Sequence, residues 1–249
     1  MIDINCNFLS RIDDITKERF WKLRTLKEVE KQGVTHIVAI HRFNKEKLLS
    51  EKEHLLSVVS ELNENIKKEG MNIKVLVGHQ VVIYDEIVED FNRDIILSLN
   101  NDNKYIFISL PSIHIPQSIY RVIYELQMIG LKPVIVLPER NAAIVNNPTI
   151  LYRLVRKGVF TQVGASSLMG RFGKKTQKTA LQFIAGQLTH FVATEEDQYD
   201  DLIRSYEKIQ QEFGESVRYK MLENAKKLVD NKMFNEDEPV KLKRKRWLY

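Results

Sequence analysis

Seven short runs of apolar, mostly β-branched residues recur along the chain, and each is followed by a longer stretch with helical spacing. This alternation is typical of parallel βα units, in which a buried strand leads into a helix that packs on the sheet. The predicted strands are residues 2–4, 36–40, 73–77, 105–108, 134–137, 160–163 and 191–193. The pattern therefore predicts an α/β fold with a parallel sheet.

The clearest helical stripe lies between the second and third predicted strands. Its apolar residues stand seven, four, three and four positions apart, on one face of a helix: Leu48, Leu55, Val59, Leu62 and Ile66. Seven strands in βα alternation favour a closed or nearly closed barrel, and no repeat, linker or low-complexity stretch divides the chain. We predict one barrel domain over residues 1–235 and a basic, flexible tail over residues 236–249.

Composition agrees with a single folded domain. The chain has 249 residues, of which 43% are hydrophobic and 29% are charged, and a chain of this length can bury one large core. No apolar stretch approaches the roughly 18 residues of a membrane span, and no basic segment precedes an apolar run near residue 1. We therefore expect a cytoplasmic location. Cys6 is the only cysteine, which excludes an internal disulfide framework.

Several motifs, spread over nearly the whole chain, carry a resemblance to a known family. They are Ile-Asp-Asp at 12–14, Gln-Gly-Val-Thr at 32–35, Gly-His-Gln at 78–80 with Ile-Tyr at 83–84, residues 133–140 ending in Pro-Glu-Arg, residues 162–173, and His-Phe-Val-Ala at 190–193. In this order they resemble the bacterial tyrosine-protein phosphatases of the polymerase-and-histidinol-phosphatase (PHP) superfamily found in capsule and exopolysaccharide gene clusters. The resemblance implies a distorted seven-stranded β/α barrel, similar to a TIM barrel, and phosphotyrosine hydrolysis with manganese or other divalent metals.

The resemblance also implies where metal ligands would stand, at the C-terminal ends of the strands. The family has His-X-His after the first strand, His after the second, Glu after the third and fourth, His after the fifth and Asp-X-His after the seventh. The corresponding residues here are, in that order, Asn5 and Asn7, Arg42, Gln80, Ser109, Leu137, and Glu195 and Asp197. In addition, Leu202 stands nearest to an arginine that the family is thought to use for holding phosphate.

These replacements change the chemistry that the site can support. An amide oxygen is a weak ligand for manganese, iron or zinc, arginine is a permanent cation, and leucine offers no donor atom. Metal-dependent hydrolysis needs the ions to form the nucleophile and to stabilise phosphoryl charge. The sequence therefore predicts that the protein holds no resident cofactor, and it identifies no catalytic residue. It predicts a pseudophosphatase that has lost the metal ions of the family. The alternative is an active manganese-dependent tyrosine phosphatase with an atypical metal shell.

Two arginines remain as candidate phosphate ligands. Arg42 and Arg140 carry planar guanidinium groups that match the oxygens of phosphate. A competing interpretation is that Arg42 pairs with Glu195 or Asp197 and neutralises an old cavity. A magnesium or calcium site built from the amide and acidic side chains at the eight positions above is disfavoured, because only two of those side chains are anionic and Arg42 would repel the ion.

Spacing disfavours two other phosphate chemistries. Four residues separate Cys6 from Arg11, one fewer than the loop of cysteine-based phosphatases needs. The run 164–175 contains glycines and lysines, but Leu168 stands where a phosphate-binding loop requires its first glycine. The histidines at 36, 54, 79, 114 and 190 show no ligand spacing, so we expect them to be packing or surface residues.

The last nine residues contain five cations and two aromatic residues. Such a tail can be drawn to anionic lipid, at about 1 kcal/mol per basic residue near the surface, or can be a solvated, disordered end. Nucleic acid is not a predicted partner, because the body shows no basic stripe. The predicted partner is a bacterial tyrosine kinase of polysaccharide export or its phosphotyrosine tail. A peripheral membrane contact, a homo-oligomer, or a purely structural role beside an active paralogue are the further hypotheses.

Overall fold

The computed structural model describes residues 1–7, 15–45, 48–194, 198–233 and 237–242. Seven strands form one sheet whose order in space follows the order in the chain, and every neighbouring pair is parallel. The strands are β1 (Ile2–Cys6), β2 (His36–Arg42), β3 (Lys74–Val82), β4 (Tyr105–Ser109), β5 (Lys132–Val136), β6 (Phe160–Gly164) and β7 (Phe191–Ala193). The predicted α/β barrel with seven parallel strands is confirmed.

Helices follow the strands and cover the outside of the sheet. They are α1 (Ile15–Lys31), α2 (Leu48–Lys68), α3 (Ile87–Asn92), α4 (Ile119–Met128), α5 (Ala142–Asn146), α6 (Thr149–Val155), α7 (Ala165–Leu168), α8 (Gly173–Ala185), α9 (Tyr199–Phe213) and α10 (Glu215–Val229). Short 3-10 helices occupy Leu99–Asn101 and Pro138–Arg140. The connection after each strand is long enough to cross back over the sheet, as parallel strands require.

The apolar stripe of α2 packs on the sheet as its spacing predicts. Leu55, Val59, Leu62 and Ile66 are all buried in one cluster with outward-facing side chains of β2 and β3. Just beyond the helix, Gly70 has a φ of +67°, a left-handed conformation that favours glycine and lets the chain turn back toward β3. Sequence, local backbone and packing therefore agree over this βα unit.

Alternate residues of each strand face the inside of the barrel. Ile4, Val38, Leu76, Phe107 and Val134 belong to one buried interior cluster. Their register is in step, because Val38 is paired with Leu76 and Phe107 with Val134. Since side chains of a strand alternate between its two faces, this interior layer sets which residues nearer the C-terminal ends face inward.

Three strands extend at least two residues further than their apolar runs predict. β1 continues to Cys6 and β2 to Arg42, while β3 continues to Val82 rather than ending at residue 77. The ladder persists there because Arg42 is paired with Gln80, and Gln80 with Phe107 on the next strand. Asn5, Arg42 and Gln80 therefore lie within the sheet and share its rigidity, instead of standing in loops.

The seam between β1 and β7 is joined by a side chain. Within the described residues, the sheet ladder runs from β1 to β7 without pairing these two strands to each other. The buried carboxylate of Asp3 bridges them, because Oδ1 accepts from the backbone N–H of Thr194 at 3.1 Å and Oδ2 accepts from its hydroxyl at 2.5 Å. Asp3 Oδ1 also accepts from the N–H of Asn5 at 3.3 Å. One buried acid thus ties the nearly closed barrel together.

Part of the predicted tail lies against the barrel. Asp237 forms an ion pair with Lys220 of α10, and the N–H of Val240 donates to the carbonyl of Gly186 at 2.8 Å. Leu242 packs on the cluster beneath α8. Residues 236 and 243–249 lie outside the described residues, so the domain boundary at 235 and the flexible tail stay predictions. Within the described part of the chain, no helix has both the length and the apolar character to cross a bilayer.

Candidate functional site

The C-terminal strand ends carry most of the positions that the resemblance marks. Asn5 lies in β1, Arg42 ends β2, Gln80 lies near the end of β3, Ser109 ends β4, and Leu137 follows β5 directly. Because the strands are parallel, these ends meet at one edge of the barrel, which is where β/α barrels build their active sites. The prediction that they form one site therefore has a geometric basis.

Period-two alternation places Arg42 and Gln80 at the inner face of the barrel mouth. In β1 the register shifts between Asp3 and Cys6, so Asn5 follows the inward Ile4 directly. Arg42 stands four residues after Val38 and Gln80 four residues after Leu76, and both of those apolar residues belong to the interior cluster. Arg42 and Gln80 are also register partners on neighbouring strands. The guanidinium and the amide are thus adjacent at the rim, with Arg42 exposed and Gln80 half-buried.

Three amide side chains are hydrogen-bonded to one another across the mouth. Asn5 Nδ2 donates to Gln162 Oε1 at 2.9 Å and to Gln80 Oε1 at 3.4 Å. Asn5 and Gln162 are buried, at 3% and 0% exposure, so they form the floor beneath the more exposed Gln80. We call Asn5, Gln80 and Gln162 the amide network. It joins β1, β3 and β6, strands that are not neighbours in the sheet.

Gln162 is the site residue that the sequence prediction lacks. It stands two residues after Phe160, which belongs to the interior cluster, so it occupies an inward position of β6. A polar residue at an inward position of a buried strand is the signal that points to it. Its Nε2 atom is buried and has no hydrogen-bond partner among the described residues. A buried donor without a partner lowers folding stability by about 1–3 kcal/mol. Such donors are rare in folded proteins, and a functional role is one of the reasons for which they are kept.

Four predicted positions lie at the rim or outside the described residues. Asn7 follows β1 and is exposed, so it does not take part in the amide network. Arg42 forms no ion pair within the described part of the chain. Glu195 and Asp197 lie outside the described residues, and the interpretation that Arg42 pairs with one of them stays a prediction.

Leu137 has an unusual backbone conformation. Its φ of 55° and ψ of 45° are left-handed, a region that costs a residue with a Cβ about 1–2 kcal/mol. The N–H of Leu137 donates to the carbonyl of Gln162 at 2.8 Å, and its half-buried side chain packs on the interior cluster. The strand therefore bends sharply at this point into the 3-10 helix Pro138–Arg140, and an apolar side chain occupies its end.

Arg140 is held by several partners at the edge between β5 and β6. Its Nε donates to the hydroxyl of Ser167 at 2.9 Å, and its Cζ lies 3.7 Å from the ring centroid of Phe172. Buried Glu139 accepts from the N–H of Gly164 at 3.0 Å, and burial raises the pKa of its carboxyl. The side chain of Arg140 is 24% exposed, and its role as a phosphate ligand stays a prediction.

The other phosphate-related positions are structural. Leu202 is fully buried on α9 among apolar neighbours, where it cannot contact a phosphate at the mouth. Cys6 is also fully buried, with its sulfur 3.1 Å from the hydroxyl of Tyr199, which agrees with a packing role. Arg11, its suggested partner, lies outside the described residues.

The buried histidines are hydrogen-bonded to the backbone. Nδ1 of His79 accepts from the N–H of Leu97 at 3.0 Å, and Nδ1 of His190 accepts from the N–H of Thr161 at 3.1 Å. Burial lowers the pKa of each imidazole to about 3, so both are neutral at pH 7. They are packing residues, as their lack of ligand spacing predicts.

The donors that the described residues bring to the mouth do not fit a transition-metal centre. No group of three or more His, Cys, Asp or Glu side chains capable of holding an ion occurs among the described residues. The atoms that do converge are amide groups bonded to one another, and amides are poor ligands for manganese, iron or zinc. We therefore derive no chemical step through a metal from these residues.

Comparison with known proteins gives consistent matches over the whole chain. The family model for capsular polysaccharide synthesis, CpsB/CapC, matches residues 1–230. The tyrosine-protein phosphatase YwqE of Bacillus subtilis is 33% identical over 252 residues, covering 99% of this chain and 98% of that protein. The putative tyrosine-protein phosphatase CapC of Staphylococcus aureus is 32% identical over 258 residues, covering 99% and 98%.

A solved structure matches the fold equally well. A chain from the crystal structures of YwqE from Bacillus subtilis and CpsB from Streptococcus pneumoniae superposes with a TM-score of 0.87 at 32% identity, covering 98% of this chain and all of that one. Those proteins are described as unique metal-dependent tyrosine phosphatases. This description corrects the prediction of no cofactor, which was wrong because it rested on ligand chemistry alone, while proteins this similar are metal-dependent.

Proposed function

Because this chain belongs to the CpsB/CapC family of capsular polysaccharide synthesis proteins, we propose that it is a pseudophosphatase of that family, which binds phosphotyrosine without efficient turnover. The relatives are tyrosine-protein phosphatases, so the chemistry that the barrel inherits is recognition of a phosphorylated tyrosine. That chemistry has two parts, recognition of the phosphotyrosine and hydrolysis of its phosphate. Recognition is kept, and the hydrolytic step is lost or strongly reduced.

The amide network is the observation that carries this proposal. Asn5 and Gln80 stand at positions where the resemblance implies a histidine and a glutamate, and they are hydrogen-bonded to each other rather than arranged as ligands. A neutral amide cannot take a proton from water at pH 7, and it does not activate a bound water as a transition metal does. Leu137, at a third such position, is apolar. Among the described residues, the mouth therefore offers no group that supports a hydrolytic step.

The proposed partner is a bacterial tyrosine kinase of polysaccharide export, bound through its phosphotyrosine tail. Two features support it: the family model concerns capsular polysaccharide synthesis, and the relatives act on phosphotyrosine in proteins. A protein that binds such a tail without dephosphorylating it would protect the phosphate or compete with an active phosphatase. Exposed Arg42 at the rim supplies the positive charge for this role.

Phosphate release from a tyrosine-phosphorylated peptide tests the loss of turnover. The purified chain should release phosphate at less than about one hundredth of the rate of YwqE with added manganese, since removing metal activation costs far more than one hydrogen bond. A variant carrying the family's ligand types should regain manganese-dependent release. Its substitutions are Asn5→His, Asn7→His, Arg42→His, Gln80→Glu, Ser109→Glu, Leu137→His, Glu195→Asp and Asp197→His. Release by the unmodified chain that a chelator abolishes would refute the proposal.

Peptide affinity tests the part of the function that is retained. Arg42→Ala should weaken binding of the phosphotyrosine peptide about tenfold or more, because a hydrogen bond to a charged group is lost. Arg153→Ala is the matched control, since Arg153 is an exposed arginine on α6 and does not stand at the C-terminal end of a strand. Equal affinity for phosphorylated and unphosphorylated peptide would contradict phosphotyrosine recognition.

A further inference from the structure

The direction of the hydrogen bonds in the amide network decides which atoms of the mouth remain unused. Asn5 Nδ2 carries two hydrogen atoms, and it donates to the Oε1 atoms of Gln162 and Gln80. A single amide nitrogen therefore holds both glutamine carbonyls. The NH2 groups of the two glutamines therefore make no hydrogen bond within the amide network.

The unused groups are therefore hydrogen-bond donors. Gln162 Nε2 is buried without a partner, and Gln80 Nε2 donates to no described residue. Next to Gln80, at the same level of the sheet, stands the exposed guanidinium of Arg42, which has only donors. No carboxylate of the described residues is hydrogen-bonded to any of these three side chains.

We infer that Arg42 and Gln80 form a binding site for a tetrahedral oxyanion at the barrel mouth, with Asn5 as the positioning residue that leaves the Gln80 donor free to face the mouth. The inference rests on the proposed function, and it names the class of ligand: the phosphate group of a phosphomonoester. Arg42 supplies charge and a planar pair of donors, while Gln80 supplies a neutral donor from the adjacent strand. Both residues stand on strands rather than loops, which keeps the two donors at a constant spacing.

The anchoring beneath Gln80 explains why the side chain points in one direction. Asn5 is fixed through its own backbone, because its N–H donates to the buried carboxylate of Asp3. Asn5 in turn holds Gln162 from a third strand, and Gln162 has no freedom to rotate into solvent because it is fully buried. The network is thus a scaffold that presents the Gln80 amide nitrogen to the mouth.

The opposite orientation of the three amides defines what would overturn this inference. If Asn5 presented its oxygen to both glutamines, the glutamine oxygens would face the mouth, and the site would suit a cation. The substitution Asn5→Asp forces that arrangement, because a carboxylate can only accept. Asn5→Asp should weaken phosphate binding about tenfold or more, because the glutamine oxygens would replace the donors at the mouth and the new carboxylate would repel phosphate. The same substitution should increase the affinity for manganese. A merely structural role of Asn5 would not reverse the selectivity.

The experiment measures binding of inorganic phosphate and of a phosphotyrosine peptide by calorimetry, in buffer with a chelator. Gln80→Leu, which keeps the size but removes the donor, should weaken both by about tenfold. Gln211→Leu and Asn92→Asp are the matched controls for Gln80→Leu and Asn5→Asp, since both residues are exposed on helices, and they should leave affinity unchanged. Circular dichroism and thermal unfolding confirm that each variant folds.

The outcomes separate this inference from the proposed function. Unchanged phosphate and peptide affinity in Gln80→Leu would overturn the inference while leaving phosphotyrosine binding intact. Phosphate binding that appears only with manganese would also overturn it, because a metal would then hold the anion. Binding of inorganic phosphate that depends on Gln80, without any affinity for the peptide, would support the oxyanion site and refute the proposed peptide recognition.

Discussion

Thr194→Val tests whether a single buried acid holds the barrel closed. The substitution keeps the shape of the side chain and the backbone N–H that donates to Asp3 Oδ1 at 3.1 Å, but it removes the hydroxyl that donates to Oδ2 at 2.5 Å. A hydrogen bond to a charged group contributes about 1.5–3 kcal/mol, and here both partners are buried. We expect the free energy of unfolding to fall by about 2 kcal/mol.

Urea unfolding followed by circular dichroism measures this loss. With a denaturant slope of about 2–3 kcal/mol per molar, the midpoint should fall by roughly 0.5–1.5 M at unchanged slope. Thr35→Val is the matched control, because Thr35 is exposed and its hydroxyl contacts only the carbonyl of Met1, at 3.3 Å, and Nδ1 of the neighbouring His36, at 3.0 Å, with no buried carboxylate. That control should change stability by less than about 0.5 kcal/mol.

A double-mutant cycle makes the test specific to the seam. Asp3→Ala should cost about 3–5 kcal/mol, since it leaves buried groups without their charged partner. In the double variant with Thr194→Val, the loss in the free energy of unfolding should be smaller than the sum of the two single losses. Once Asp3 is replaced, the Thr194 hydroxyl has no carboxylate to donate to, so removing it costs less. A midpoint for Thr194→Val equal to that of Thr35→Val, or strict additivity in the cycle, would refute the reasoning.

Three further predictions follow from single contacts. The ion pair with Arg171 lowers the pKa of Asp201, so its stabilising effect is present above the unfolded pKa of 3.8 and is lost as the pH falls through the lower folded value. In urea titrations, the stability difference between the unmodified chain and Asp201→Asn should therefore shrink as the pH drops below 3.8. Leu137→Gly should be more stable than Leu137→Ala by about 1 kcal/mol, reversing the usual order, because the left-handed backbone favours glycine. An equal or opposite order in thermal unfolding would contradict the role given to that backbone. Cys6 should react with a thiol reagent much more slowly in the folded chain than in urea, since it is fully buried; equal rates would contradict its packing role.

The fold was predictable because its signals are local and repeated. Each strand carries an apolar run, and the stripe of α2 is a strict helical period, so seven βα units could be inferred without any contact information. The ends of the strands were less predictable. β3 runs on to Val82 because Gln80 pairs on both sides, and polar residues within a ladder are not visible in an apolar pattern.

The site was predictable in its position and not in its interactions. Strand ends meet at one edge in any parallel barrel, so Asn5, Arg42 and Gln80 could be brought together from topology. The hydrogen bond from Asn5 to Gln162 joins residues 157 positions apart on strands that are not neighbours, and only the closed barrel brings them within reach. The left-handed backbone of Leu137 is equally invisible in the sequence, because nothing in a leucine predicts it.

Phosphorus NMR of a phosphotyrosine peptide mixed with the protein tests the central claim most directly. Binding is recorded before manganese is added, and turnover is recorded after a manganese incubation that is stopped with excess chelator, because the paramagnetic ion broadens phosphorus signals by itself. The account predicts a broadened phosphomonoester signal of constant intensity and no signal from inorganic phosphate over hours, with sharp signals restored by Arg42→Ala. Growth of an inorganic phosphate signal that a chelator abolishes would show an active metal-dependent phosphatase and would contradict the account.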